Sequence, residues 1–243
     1  MGKSKPFQFK EFAVQQDQCA MKIGTDGVLL GAWAEVGEYP KNILDIGTGT
    51  GVVALMLAQR SDAPTIDAIE LDKDAYFQSQ ENFQNSPWAD RLFGYHAEFT
   101  EYVAELFEEE ETYDVIVSNP PFYAEDYSSG DAQRDAARLN ASLPFEDLIE
   151  GASLILSEKG IFNLIVPFKE QDTCIGLAAQ FGIHLIKITQ VKGNPDAEVK
   201  RSLLAFSFQQ PAQVEASLLI IEKARHQYTQ EYIELTKDFY LKM

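Results

Sequence analysis

Residues 42–60, NILDIGTGTGVVALMLAQR, decide the fold. The opening NILDI is a short, nearly continuous aliphatic run, the pattern of a strand buried on both faces. The closing GVVALMLAQR reads as the helix that follows it. Between them stand Gly47, Gly49 and Gly51, which permit a positive φ and let another group approach the backbone closely. A strand, a glycine-rich turn and a helix in this order form the first half of a βαβ unit.

Outward from this unit the alternation continues. Residues 65–70 (TIDAIE) read as strand, 73–85 as helix, 91–97 as a weaker strand, 98–110 as helix and 113–118 (YDVIVS) as strand. After a long loop at 119–143, residues 144–157 read as helix, 160–166 as strand and 169–181 as helix. Strands are expected at 183–191 and 202–208, a further one at 214–221, and a polar-faced helix from about 229. This alternation predicts an α/β fold with a mostly parallel sheet covered by helices on both faces. The stretch between 191 and 202 is too short for a crossover helix, so those two strands should pair antiparallel at one edge. Before the first core strand, FQFKEFAVQQDQCAMKI suggests two short strands, and TDGVLLGAWAEV a helix capped by Thr25 or Asp26.

Composition narrows the function. The chain has 243 residues and a formal charge of −18. No apolar stretch approaches the roughly 20 residues that span a bilayer, and the start lacks a signal-peptide core. The two cysteines, Cys19 and Cys174, are far apart, which fits a reducing cytoplasm. Three histidines without metal-ligand spacing give no reason to expect a metal. The charge argues against nucleic acid as a partner, but its distribution softens the argument. Residues 98–111 carry seven glutamates, whereas Lys3, Lys5 and Lys10 form one basic cluster and Lys187, Lys192, Lys200 and Arg201 another.

In open α/β sheets ligands bind beyond the carboxyl ends of the strands. That rule brings together the loops after residues 46, 70 and 118. In the first, the third glycine comes one residue early for a dinucleotide fingerprint, with Val52 in the expected place, and no Gly-Lys-Ser/Thr follows to make a P-loop. In the second, Glu70 can accept hydrogen bonds from the vicinal hydroxyls of a ribose; the alternative is a surface glutamate at a strand end. After the third strand, Glu98 can accept from an adenine amine and Phe99 can flank the ring, or Glu98 simply begins an acidic helix. In the loop after 118, Asn119-Pro120-Pro121-Phe122 is stiffened by two prolines. The Asn119 side-chain carbonyl and the Pro120 carbonyl can hold both hydrogens of a planar amino group, and Phe122 can stack on the ring that carries it.

These residues resemble the class I S-adenosylmethionine-dependent methyltransferases, whose first motif matches LDIGTGTG and whose second matches the acid at Glu70. The resemblance implies a Rossmann-like fold: a seven-stranded, mostly parallel sheet with a reversed C-terminal strand and helices on both faces. It implies S-adenosylmethionine as cofactor, held by Asp45, Gly47, Gly49, Gly51, Glu70, Leu71, Glu98, Phe99 and Asn119. The Asn-Pro-Pro-Phe sequence resembles the signature of amino-methyltransferases, which act on adenine, guanine, cytosine or glutamine amines; Asn119, Pro120, Pro121 and Phe122 are then the catalytic group. The segment DQCAMKIGTDGVLLGAWA, together with NPPF and Arg134-Asp-Ala-Ala-Arg138, is similar to the bacterial tRNA(Val) adenine-N6 methyltransferase family. That similarity implies methylation of the adenine next to the anticodon, with Thr25 and Asp26 near the methionine end of the cofactor. Residues 1–40 would then form a hairpin and helix covering the active site, and 41–243 the catalytic domain. Candidate phosphate contacts are Arg134, Arg138, Lys192, Lys200 and Arg201, although Arg134 and Arg138 can instead pair with Asp131 and Asp135. The other readings are an amino-methyltransferase acting on rRNA guanine or protein glutamine, and a cofactor-binding scaffold without turnover.

Overall fold

Strands that are aliphatic on both sides must be covered on both sides, and the chain supplies two sets of helices to do it. The computed structural model describes residues 5–121 and 143–242. In chain order its first elements are β1 (Phe7–Gln8), β2 (Ala13–Val14), α1 (Thr25–Trp33), β3 (Asn42–Ile46), α2 (Val52–Arg60), β4 (Thr65–Glu70), α3 (Lys73–Gln84), β5 (Leu92–His96), α4 (Phe99–Glu108) and β6 (Tyr113–Ser118). Then come α5 (Phe145–Leu154), β7 (Leu156–Pro167), α6 (Gln171–Gln180), β8 (His184–Lys192), β9 (Val199–Ser207), β10 (Glu215–Ile220), β11 (Glu222–Ala224), β12 (Gln227–Tyr228) and α7 (Gln230–Thr236).

The central sheet has the order β10-β8-β9-β7-β6-β3-β4-β5. From β5 to β7 the neighbours are parallel. β9 lies between β7 and β8 and is antiparallel to both. The reversed strand and the β8–β9 hairpin are therefore present as expected. The expected seven strands become eight, because β10 adds itself parallel to β8, from Glu215 opposite Lys187 to Ile220 opposite Lys192. The hairpin thus lies one strand in from the edge. Strand β7 begins four residues earlier than the sequence pattern suggested, and its pairing with β6 shifts between Leu156 and Ile161.

Side chains alternate across the sheet with the period of a strand. Ile43, Val115, Val117, Leu203 and Ala205 face one buried cluster, which α1, α2, α3 and α7 help to fill. Leu44, Ile116, Leu204 and Phe206 face the other, filled by α4, α5 and α6. Each such aliphatic side chain stabilises the fold by about 1.5–3 kcal/mol when fully buried. Phe9, Phe12 and Val14 of the N-terminal segment belong to the first cluster. Phe9 stacks on Phe12 and on Tyr240, with ring centroids 4.6 Å and 5.9 Å apart. The first and last parts of the chain thereby hold each other.

Helix α1 does not start as the sequence suggested. Its N-cap is Gly24, with no side-chain cap, so neither Thr25 nor Asp26 caps it. Asp26 sits in the first turn, where its charge favours the positive end of the helix dipole.

Candidate active site at the carboxyl edge of the sheet

The glycine loop turns sharply because it uses three positive φ angles: 69° at Gly47, 55° at Gly49 and 81° at Gly51. The three glycines differ in what surrounds them. A β-carbon at Gly47 or Gly49 would meet nothing within 4 Å, whereas one at Gly51 would stand 2.5 Å from Phe83 Cε1. Gly51 is needed for helix packing; Gly47 and Gly49 border open space.

The loop's donors are already committed. The Gly47 and Thr48 N–H groups both donate to the Ile69 carbonyl, at 3.0 and 3.1 Å, and the Gly51 N–H donates to the Thr48 carbonyl at 2.8 Å. The Gly49 N–H donates to Glu70 Oε2 at 2.8 Å. A phosphate cradle needs free N–H groups pointing at the ligand, and these four are not free. The Glu70 carboxylate faces the same loop. The donor set therefore favours a cofactor that brings positive charge and ribose hydroxyls over one that brings a pyrophosphate.

Glu70 ends β4 with its carboxylate fixed from two sides, since the Asp72 N–H donates to Oε1 at 2.9 Å. Partial burial raises its pKa, and the N–H donors of Asp72 and Gly49 pull it back. Leu71 beside it is 49% exposed, an apolar side chain available to cover a ring. Asp45 is fully enclosed: Thr48 Oγ1 donates to its Oδ2 at 2.6 Å and the Ala54 N–H donates at 3.2 Å. Burial pushes its pKa up to about 7, against the pull of those two donors.

The N-terminal segment is stitched to this loop by two buried amides on α3. Asn82 Nδ2 donates to the carbonyls of Gln15 and Thr50, at 2.9 and 2.8 Å, and its Oδ1 accepts from the Gln15 N–H at 2.7 Å. Gln78 Oε1 accepts from the Gln18 N–H at 3.0 Å. Burial, with the nearby charges of Glu70, Asp72 and Asp17, pushes the Cys19 thiol up to about 12; this segment therefore runs beside Glu70. Sequence reasoning did not single out Asn82 or Gln78. The available signal was two amide residues one helical turn apart on a face that otherwise packs inward.

Asn119 leaves the end of β6, where Ser118 Oγ donates to the Ile46 carbonyl at 3.0 Å and ties the two strand ends together. Asn119 is half-buried, Pro120 buried and Pro121 exposed. Helix α1 crosses above: a β-carbon at Gly27 would lie 3.3 Å from Val52 Cγ1 and 3.7 Å from Asn119 Nδ2. Glycine at 27 lets the helix approach the loop. Thr25 is exposed, and Asp26 Oδ2 accepts from Arg201 Nε at 2.8 Å.

The glycine loop, Glu70, Leu71, Asp26 and Asn119 thus gather at one edge of the sheet. Phe99 does not join them. It is buried in the second cluster, and a β-carbon at Gly151 would lie 2.5 Å from its ring, so it packs under α5 rather than flanking a ligand. Glu98 caps α4: its carboxylate accepts from the Glu101 N–H at 3.0 Å and from the Thr100 hydroxyl. Of the basic residues, Arg201 is held by Asp26, Lys192 Nζ donates to the Pro195 carbonyl at 2.8 Å, and Lys200 is exposed. Phe122, Arg134 and Arg138 lie outside the described residues. Among the described residues no group of three or more His, Cys, Asp or Glu could hold a metal ion, and no helix is long and apolar enough to cross a membrane.

Known proteins agree with this geometry. Residues 27–186 match the family described as methyltransferase small domain. The chain is 58% identical to the tRNA1(Val) (adenine(37)-N6)-methyltransferase of Flavobacterium johnsoniae, over 98% of this chain and 100% of the relative. It is 55% identical to the protein of the same name from Christiangramia forsetii, over 99% of both chains. Among solved structures, a predicted O-methyltransferase from Agrobacterium tumefaciens aligns with a TM-score of 0.67 at 20% identity, over 88% of this chain and 96% of that one. The ribosomal protein L11 methylase of Lactobacillus delbrueckii aligns with a TM-score of 0.54 at 16% identity, over 80% and 83%. These two support the fold alone. With its fold, its glycine loop and its full-length relatives in agreement, the chain belongs to the methyltransferase small domain family, alongside relatives named tRNA1(Val) (adenine(37)-N6)-methyltransferase.

Proposed function

We propose that this protein methylates the exocyclic N6 amine of an adenine in the tRNA anticodon loop, next to the anticodon, with S-adenosylmethionine as methyl donor. The observation that carries the reading is the placement of Asn119-Pro120-Pro121 at the end of β6, beside Gly27 and across from the glycine loop. The full-length relatives supply the substrate class.

S-adenosylmethionine brings an electrophilic methyl group on a sulfonium. Glu70 would hold the ribose hydroxyls through lone pairs its two backbone donors leave free. Gly47 and Gly49 leave room for the methionine part, and Asp26, oriented by Arg201, would receive its ammonium group. The Asn119 side-chain oxygen and the Pro120 carbonyl would each accept one hydrogen of the adenine amine. That draws the nitrogen lone pair out of conjugation and aims it at the methyl carbon. The new N–C bond would form as the C–S bond of the donor breaks, and the nitrogen would shed one proton to solvent. Such a step depends on alignment and on preorganised acceptors rather than on a strong base. The N-terminal segment would serve as a cover, with Asn82 and Gln78 holding Gln15 and Gln18 beside the rim that carries Glu70. An adenine in a loop is already unpaired, so little unstacking energy opposes its entry. Acting on tRNA, the protein works in the cytoplasm.

The test is transfer of labelled methyl from S-adenosylmethionine to purified tRNA, rRNA and total protein in parallel. Label in tRNA alone is expected. Label in rRNA or protein but not in tRNA would move the assignment to another amine.

A further inference from the structure

We propose that the β11–β12 hairpin is a contact for the phosphate backbone of the RNA stem that carries the target nucleotide. This rests on the tRNA reading above and deepens it.

The hairpin stands where such a contact is needed. β8 and β10 are parallel, with Ile220 opposite Lys192. The ladder continues past their ends: the Ile221 N–H donates to the Lys192 carbonyl and the Glu222 N–H to the Gly193 carbonyl, both at 3.0 Å. The chain returns through the Thr229 N–H, which donates to the Ile221 carbonyl at 3.0 Å. The hairpin therefore extends the carboxyl edge of the sheet, the same edge that holds Asn119. Between β6 and β10 lie four strand spacings, roughly 19 Å at about 4.8 Å each. That matches five to six base-pair rises of about 3.4 Å, so a stem leading away from a base held at Asn119 would pass over the hairpin.

Its charge is available. Residues 184–228 hold six Lys and Arg against four Asp and Glu, a net +2 in a chain of net −18. Several of those cations are committed: Lys187 to Glu35 and Glu215 and Arg201 to Asp26. Lys223 and Arg225 are exposed and form no ion pair with a described residue. The one acid of the hairpin, Glu222, turns its Oε1 to the His226 N–H at 3.3 Å. His226 sits at the tip with φ of 63°, a conformation that a bare turn would give to Gly or Asn. Beside it Tyr228 is 38% exposed. The acidic residues from Glu98 to Glu108 belong to the crossover that runs from β5, at the far edge of the sheet, back to β6 and packs on the second cluster, whereas the hairpin follows β10 at the other edge. A polyanion is therefore repelled less at the hairpin edge.

The experiment compares wild type, Lys223→Ala/Arg225→Ala, and a control of equal charge change, Lys41→Ala/Lys159→Ala, at the amino ends of β3 and β7. tRNA affinity is measured by fluorescence anisotropy across salt concentrations, and methylation by steady-state kinetics. Loss of two phosphate contacts should reduce the slope of log K against log salt by about 1.4–1.8. KM for tRNA should rise about 10-fold or more, with kcat at saturation and S-adenosylhomocysteine affinity kept. The control should match wild type. An unchanged slope and KM in the hairpin variant, with wild type methylating tRNA, overturns this inference alone. Wild-type protein that neither binds nor methylates tRNA overturns both it and the reading it rests on.

Discussion

Glu70 carries two loads that one pair of variants separates. In the structure its carboxylate holds the Gly49 N–H at 2.8 Å and the Asp72 N–H at 2.9 Å; in the proposed complex it also holds the ribose. Glu70→Ala removes both acceptors from a half-buried loop. A donor left unsatisfied costs about 1–3 kcal/mol, and at about 2–4 °C per kcal/mol for a domain of this size Tm should fall by several degrees. Loss of charged hydrogen bonds to the ribose should weaken S-adenosylhomocysteine by a further 1–3 kcal/mol or so, about 5- to 150-fold. Glu70→Gln keeps one carbonyl acceptor and should recover part of the stability, but its amide opposes one backbone donor and its affinity should stay low. Isothermal calorimetry reads the affinity and differential scanning calorimetry the stability. Unchanged affinity in Glu70→Ala, whatever its Tm, would remove Glu70 from the ribose site.

Other expectations follow from single contacts. Asn119→Ala should lower kcat by at least about 10²-fold while leaving S-adenosylhomocysteine affinity near wild type; near-normal turnover would make the loop a plain turn. Gly51→Ala meets Phe83 at 2.5 Å with φ of 81°, so it should cost about 2–5 kcal/mol from backbone strain plus overpacking. Gly47→Ala, facing open space, should cost only the strain, about 1–2 kcal/mol, and equal losses in urea melts would contradict this division. Asp45 should make stability depend on pH. Burial raises its folded pKa to about 7, so between about 4 and 7 the native state keeps a proton that the unfolded chain has lost. Its contribution is full below that window and is lost as pH rises through about 7. Asp45→Asn should flatten the slope by up to about 1.4 kcal/mol per pH unit, and identical slopes in urea titrations from pH 5 to 8 would refute it.

Much of the sheet was legible because parallel strands buried on both faces leave aliphatic runs that little else produces. β3, β4 and β6 fall on the expected residues. Their carboxyl ends then determine which loops meet, so the glycine loop, Glu70 and Asn119 could be grouped from sequence. What was not legible depended on side-chain direction or on distant partners. Phe99 was expected at a ring but points into the core beneath Gly151, because the first residue of an amphipathic helix can face either way. Glu98 spends its carboxylate on its own helix end. Arg201 is a candidate phosphate contact by sequence, yet its Nε donates to Asp26, 175 positions away in the chain, a pairing no local pattern reveals. The strand expected at 214–221 forms as β10, but its place as an eighth strand parallel to β8 was not legible, nor was the hairpin after it, which is short, largely exposed and without an aliphatic run.

The most direct measurement is to map the methyl group itself. Purified protein, S-adenosylmethionine and tRNA lacking the modification are incubated, and the tRNA is cleaved with a base-specific nuclease and analysed by mass spectrometry. One added methyl is expected in the fragment spanning the anticodon loop, on the adenine next to the anticodon, as N6-methyladenosine, and absent with Asn119→Ala. A methyl group found elsewhere in the tRNA, on another atom of adenine, or retained in full by that variant would contradict the account.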